Sequence, residues 1–124
     1  DILKLQNLDN LKNVNLKNAN LSGANLSKAN LNEVVLFDSN LTGANLNGAD
    51  LDSVDLRRAD LNGAMLDGAD FDSSNFDGAD LRRSSLKGAD LTGADLDGVD
   101  LTNAILNGNL CLIIKLHNFM RLLQ

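Results

Sequence analysis

The sequence predicts an all-β solenoid, a chain wound into short and regularly turning coils. From Leu11 to Leu106 every fifth residue is Leu or Phe, and all ten glycines lie two places after such a residue. A strict period of five fits neither the helical period of about 3.6 residues nor the two-residue alternation of a long strand. The absence of proline and the 3% aromatic content also favour a narrow core of stacked leucines over an ordinary globule.

Each five-residue unit is a short extended piece followed by a corner. In the tripeptide Ala49-Asp50-Leu51 the two apolar side chains point one way and the carboxylate points the other. Two variable residues follow, and glycine is confined to the second of them, where a type II turn needs a positive φ. A chain that turns this often can bury one face only by coiling, with its backbone groups paired between successive coils.

This pattern closely resembles the pentapeptide-repeat family, whose unit is A(N/D)LXX. The resemblance covers residues 11–108, and the residue before Leu or Phe is Asn or Asp in fifteen of nineteen units. It implies a right-handed quadrilateral parallel β-helix with four pentapeptides per coil, and therefore about five coils. The middle of the predicted core consists of Leu51, Leu56, Leu61, Leu66, Phe71, Phe76, Leu81 and Leu86.

Different structures are expected at the two ends of the repeat. The five-residue phase fails in residues 1–10, which predicts an irregular N-terminal cap. Residues 109–124 are rich in apolar residues and predict a short C-terminal α-helix that caps the last coil. The apolar side of this helix consists of Leu112, Leu116, Phe119 and Leu123. The same side is a candidate homodimer contact, so we expect either a monomer or a dimer formed through this helix.

The sequence contains no pattern that predicts an enzyme. Its one histidine and one cysteine have no partner that would suggest a nucleophile and a base, so we expect no catalytic residue, cofactor or metal. No apolar run reaches the roughly 18 residues of a membrane span, which favours a cytoplasmic protein without a membrane partner. The net charge of −6 argues against direct nucleic-acid binding.

Charge is distributed unevenly along the chain. Residues 49–104 hold thirteen acidic and five basic side chains. Coils of twenty residues would stack two aspartate columns on two different faces, namely Asp50, Asp70 and Asp90, and Asp60, Asp80 and Asp100. Both columns are candidate acidic interaction surfaces. The alternative is a merely solvated face, since Asn occupies the equivalent earlier positions. The pairs Arg57-Arg58 and Arg82-Arg83 are expected to compensate charge locally.

Four apolar residues are predicted to point outward against the pattern. They are Val35, Phe37, Met65 and Ile105, of which Val35 and Phe37 lie near each other and form a small candidate contact patch.

We therefore expect a non-enzymatic structural or interaction module that presents flat, partly acidic faces to an unidentified protein partner. The family resemblance implies an alternative, a DNA mimic that binds DNA gyrase or topoisomerase and protects it against quinolones. The small number of coils, the modest net charge and the arginine pairs in the acidic half count against this alternative.

Overall fold

The computed structural model describes residues 10–107 and shows the chain wound into coils of twenty residues. Parallel bridges join residues twenty apart, from the pair Asn10 and Asn30 to the pair Ser85 and Ile105. Two-residue turns alternate with single bridged residues, so residues 10–107 contain no helix and no strand longer than one residue. Twenty residues are four pentapeptides, and each coil therefore has four sides.

The bridges define four faces, which we number by the order in which the chain passes through them. The first face contains Asn10, Asn30, Asp50, Asp70 and Asp90, and the second contains Asn15, Val35, Asp55, Asn75 and Asp95. The third face contains Asn20, Asn40, Asp60, Asp80 and Asp100, and the fourth contains Asn25, Asn45, Met65, Ser85 and Ile105. The two variable residues after each of these positions form the corner that leads to the next face.

The predicted end structures fall almost entirely beyond this part of the chain. Of the expected N-terminal cap at 1–10, only Asn10 is described, and it already pairs with Asn30. The expected capping helix at 109–124 lies outside the described residues. So do the four residues of its apolar side, Leu112, Leu116, Phe119 and Leu123.

Successive coils are held together by a repeating set of backbone hydrogen bonds. The N–H of Leu51 donates to the carbonyl of Asp70 at 2.7 Å, and the N–H of Ser53 donates to that of Asp72 at 2.8 Å. In the opposite direction, the N–H of Asp70 donates to the carbonyl of Ala49 at 2.9 Å. Proline at any of these donor positions would remove one bond of the ladder, which accounts for its absence.

Every corner between residues 10 and 107 uses the positive φ that the glycine pattern predicts. At the corner that contains Gly63, φ is 69°. The N–H of Ala64 closes this turn by donating to the carbonyl of Leu61 at 3.0 Å. Ten residues other than glycine occupy the same position elsewhere, among them Glu33 and Arg58, with φ between 59° and 65°. None of the ten is β-branched, since a branched side chain fits worst in the left-handed region.

The interior is filled by the Leu/Phe columns that the sequence predicts. All eight residues expected in the middle of the core are buried, with relative exposures of 0–1%. Phe71 and Phe76 meet there edge to face, with ring centroids 5.0 Å apart. The small residues fill the space between the large ones, and Ser39, Ser74 and Ser84 replace alanine or valine at three of these buried positions.

Candidate interaction faces

The outward Asn and Asp residues stabilise the corners by accepting a backbone hydrogen bond. All sixteen at this position between Asn10 and Asp100 accept, through Oδ1, the backbone N–H of the residue two places later. Asn40 does so at 3.0 Å from Thr42, and Asp60 does so at 3.0 Å from Asn62. Amide and carboxylate provide the same oxygen, so the turn is formed equally well with and without the charge. The acid is therefore not required by the fold.

Between residues 10 and 107, the first face has the largest group of carboxylates without an ion-pair partner. The bridges stack Asp50, Asp70 and Asp90, as the twenty-residue coil predicts, and Asp52 and Asp72 lie at the adjoining corner. None of these five forms an ion pair with any residue in the described part of the chain. From residue 30 to residue 93, this face and the corner that follows it contain no Lys or Arg.

Local hydroxyl groups hold some of these carboxylates in place. Ser53 Oγ donates to Asp52 Oδ1 at 2.8 Å, and Ser73 Oγ donates to Asp72 Oδ1 at 2.9 Å. A hydrogen bond from the Thr92 hydroxyl lowers the pKa of Asp90. These hydroxyl groups add no positive charge, so the first face stays anionic.

The third face also stacks three aspartates, but an arginine neutralises part of their charge. Arg82 binds Asp80 through two hydrogen bonds, Nε to Oδ1 at 2.9 Å and Nη2 to Oδ2 at 2.7 Å. Its Nε also lies 3.9 Å from Oδ2 of Asp100. The guanidinium lowers the pKa of Asp80, chiefly through the side-chain hydrogen bond. The expected charge compensation is thus present here, and the third face is less acidic than the first.

On the second face, cations surround the predicted apolar patch. The Phe37 ring centroid lies 5.0 Å from Cζ of Arg57, 5.5 Å from Cζ of Arg58 and 5.4 Å from Nζ of Lys17. Val35 and Phe37 are both half-buried. The patch is therefore a cation–π cluster rather than a bare apolar surface, because the coil brings basic residues above and below the ring.

Both arginines of this cluster also form ion pairs. Arg57 pairs with Asp55 at 2.7 Å, and Arg58 pairs with Asp38 at 3.0 Å. The hydrogen bond from Arg57 is the main cause of the lowered pKa of Asp55. Charge compensation thus extends to the second face.

On the fourth face, other side chains accept the corner N–H that an outward Asn or Asp accepts elsewhere. Where Met65 cannot accept a hydrogen bond, the N–H of Asp67 donates at 2.8 Å to Oδ1 of Asn47, twenty residues earlier. In the next coil, the N–H of Lys87 donates at 3.0 Å to Oδ1 of Asp67, which also accepts the Ser85 hydroxyl. This change of acceptor could not be predicted from the sequence, because it depends on which residues the coil places side by side.

Two further kinds of site are absent between residues 10 and 107. That part of the chain holds no group of three or more His, Cys, Asp or Glu residues placed to bind a metal ion. It also holds no helix long and apolar enough to cross a membrane.

Comparisons with known proteins identify the family. A family model for a pentapeptide repeat region matches residues 9–85, and a model for eight pentapeptide repeats matches residues 69–108. No curated protein sequence matches the chain.

Several solved structures are similar to this chain. Rfr23 from the cyanobacterium Cyanothece 51142 is 33% identical with a TM-score of 0.58, over 77% of this chain and 63% of that one. HetL from Nostoc sp. strain PCC 7120, a protein involved in heterocyst differentiation regulation, is 32% identical with a TM-score of 0.65, over 78% of this chain and 55% of that one. The chain thus spans less than two thirds of the length of either structure.

A third solved structure is less similar to this chain. QnrB1, a plasmid-mediated fluoroquinolone resistance protein, is 20% identical with a TM-score of 0.36, over 70% of this chain and 59% of that one. A likeness this low supports no inference about function. From the two family models, the twenty-residue bridges and the similarity to Rfr23 and HetL, we conclude that this chain belongs to the pentapeptide-repeat family and has its right-handed quadrilateral β-helix fold.

Proposed function

We propose that this chain is a non-enzymatic interaction module whose first face binds a positively charged region of a protein partner. The observation that carries the proposal is the contrast between the faces. Asp50, Asp70 and Asp90 stand without an ion-pair partner among residues 10–107, whereas Asp55 and Asp80 are each bound by an arginine. A basic partner can therefore approach the first face without displacing an internal cation.

The third face is the weaker candidate for the same role. A partner lysine that approached Asp80 would have to replace the two hydrogen bonds from Arg82, and it would meet the positive charges of Arg82 and Arg83. Complementary charge raises association rates and selects partners, and like charge disfavours them. The first face should consequently bind a basic partner faster and more tightly.

The shape of the solenoid supports a binding role. Stacked coils give flat and rigid faces, since every coil repeats the backbone of the one before it. We infer about five coils, closed at the C-terminus by a capping segment at 109–124. HetL is involved in regulation, and a regulatory protein can act by binding alone.

The experiment compares two triple variants that remove the same amount of charge. In one, Asp50, Asp70 and Asp90 are changed to Asn, and in the other, Asp60, Asp80 and Asp100 are changed to Asn. Because Asn forms the same turn hydrogen bond, both variants should fold like the wild type. The probe is a lysine-rich peptide, with binding measured by isothermal titration calorimetry at low salt.

The first-face variant should weaken binding about tenfold, which corresponds to roughly 1.4 kcal/mol, and the third-face variant should weaken it much less. Equal losses would mean that only net charge matters, and this result would refute the proposal.

The DNA-mimic alternative makes a different prediction. The arginines that bind Asp55 on the second face and Asp80 on the third count against this alternative. A supercoiling assay with purified gyrase and a quinolone tests it directly. Inhibition or protection at micromolar protein would support mimicry, and an unchanged reaction would leave the acidic-face proposal as the better account.

A further inference from the structure

The fourth face differs from the other three in a way that the fold does not require. Four residues between 10 and 107 break the Asn/Asp rule, and three of them follow one another in successive coils on this face, Met65, Ser85 and Ile105. The fourth exception, Val35, lies on the second face. Each exception gives up the local turn acceptor, and after Met65 and Ser85 a side chain of the preceding coil accepts the corner N–H instead. A run of three on one face suggests a role for that surface.

The fourth face exposes apolar side chains next to corners that contain glycine. Met65 and Ile105 are 42% and 43% exposed and are the exposed large hydrophobic residues in the described part of the chain. The corners on both sides of Met65 are glycines, Gly63 and Gly68, and a Cβ built on either would meet nothing within 4 Å. A second flat surface can therefore come close to the backbone on either side of Met65.

The fourth face carries one negative and one positive charge that would pair across a contact between two copies. Asp67 and Lys87 occupy the same corner position in successive coils. Neither forms an ion pair with another residue between 10 and 107. Consider a two-fold axis that lies in the plane of the contact, perpendicular to the solenoid and halfway between the coils of Asp67 and Lys87. It would place Asp67 of one copy opposite Lys87 of the other. The symmetry would form this pair twice. The first face adjoins the fourth across this corner, so its carboxylates would lie at the edge of such a contact and not within it.

We propose that the fourth face is the interface of a symmetric, antiparallel homodimer. Two-fold dimers are the commonest oligomers, and they need a surface that is complementary to itself. A single face is a small interface, so the dimer belongs to the weak class that depends on protein and salt concentration. This inference is independent of the proposed function, because the first face stays accessible in the dimer.

The first test uses substitutions that restore the repeat. Met65→Asn and Ile105→Asn introduce the residue found at this position in the first two coils of the same face, so they should preserve the fold. Sedimentation velocity over a range of concentrations should show the wild type approaching twice its 13.3 kDa mass. The double variant should raise the dimer dissociation constant about tenfold or more. Val35→Asn is the matched control, since it restores the repeat on another face, and it should leave dimerisation unchanged.

The second test uses the charged pair. Lys87→Asp alone and Asp67→Lys alone should each weaken the dimer, because like charges would then meet at both contacts. An equimolar mixture of the two variants should recover it, since each copy then offers the charge that the other lacks. Circular dichroism of each variant checks that the β-helix is retained.

Three results would overturn the proposal. They are a wild type that remains monomeric at several hundred micromolar, a dimer that persists in the Met65→Asn and Ile105→Asn double variant, and a mixture of charge variants that associates no better than its components. A dimer that persists in the double variant would assign association to another region, such as residues 109–124.

Discussion

Removal of one buried hydroxyl should stabilise this protein. Ser39 is 2% exposed, and its Oγ has no hydrogen-bond partner among residues 10–107. Ser74, at the same position of another unit and 1% exposed, donates at 2.7 Å to the carbonyl of Leu51 and accepts the N–H of Val54 at 3.3 Å. An unpaired buried hydroxyl costs about 1–3 kcal/mol, whereas a paired one contributes about 1 kcal/mol. The same substitution should therefore have opposite effects at the two positions.

We expect Ser39→Ala to raise the free energy of unfolding by about 1 kcal/mol and Ser74→Ala to lower it by about the same amount. For a chain of this size, 1 kcal/mol corresponds to a melting-temperature change of about 3–5 °C. Urea unfolding followed by circular dichroism measures both. Equal effects of the two substitutions would refute the reasoning, because both remove the same atom from equally buried sites.

Three further predictions concern the corners, an ion pair and the core. Gly63→Ala should cost about 1 kcal/mol and Glu33→Gly should gain somewhat less, because both have φ above 60° and L-residues are strained there; thermal unfolding of each measures the difference. Arg82→Gln should destabilise the protein at neutral pH. Arg82 lowers the pKa of Asp80 in the folded state. The stability that this ion pair contributes is therefore present above the unfolded pKa of Asp80 and is lost as the pH falls through its folded pKa. Urea unfolding at a series of pH values should thus show the difference from wild type starting to decrease below about pH 4 and vanishing only below the lowered pKa of Asp80. Leu61→Asp should abolish folding, since Leu61 is fully buried and an unpaired carboxylate there costs several kcal/mol; loss of the native circular dichroism spectrum would show this.

Regular spacing made most of the fold predictable from sequence. The period of five separates inward from outward residues, so burial of Leu51 and Phe71 follows from their phase alone. The confinement of glycine to one position predicts the positive φ at every described corner. Spacing alone predicts a coil but not the number of its sides. That number came from the family resemblance, and the twenty-residue bridges agree with it.

The candidate surfaces were less predictable, because they depend on contacts between coils. The aspartate columns follow from the twenty-residue period, but their different degrees of neutralisation depend on where Arg82 points. The cations around Phe37 come from the coils above and below it. The hydrogen bond that each outward Asn or Asp accepts was missed, although Asn and Asp are known to bond the backbone two residues later.

The central claim is that a basic partner binds the first face. Nuclear magnetic resonance measures this most directly, through the backbone amide shifts of the ¹⁵N-labelled protein during titration with a lysine-rich peptide. The account predicts the largest shift changes at residues 50–53, 70–73 and 90–93, with smaller changes at 60–63, 80–83 and 100–103. Equal changes on both faces, or larger changes on the third, would contradict it.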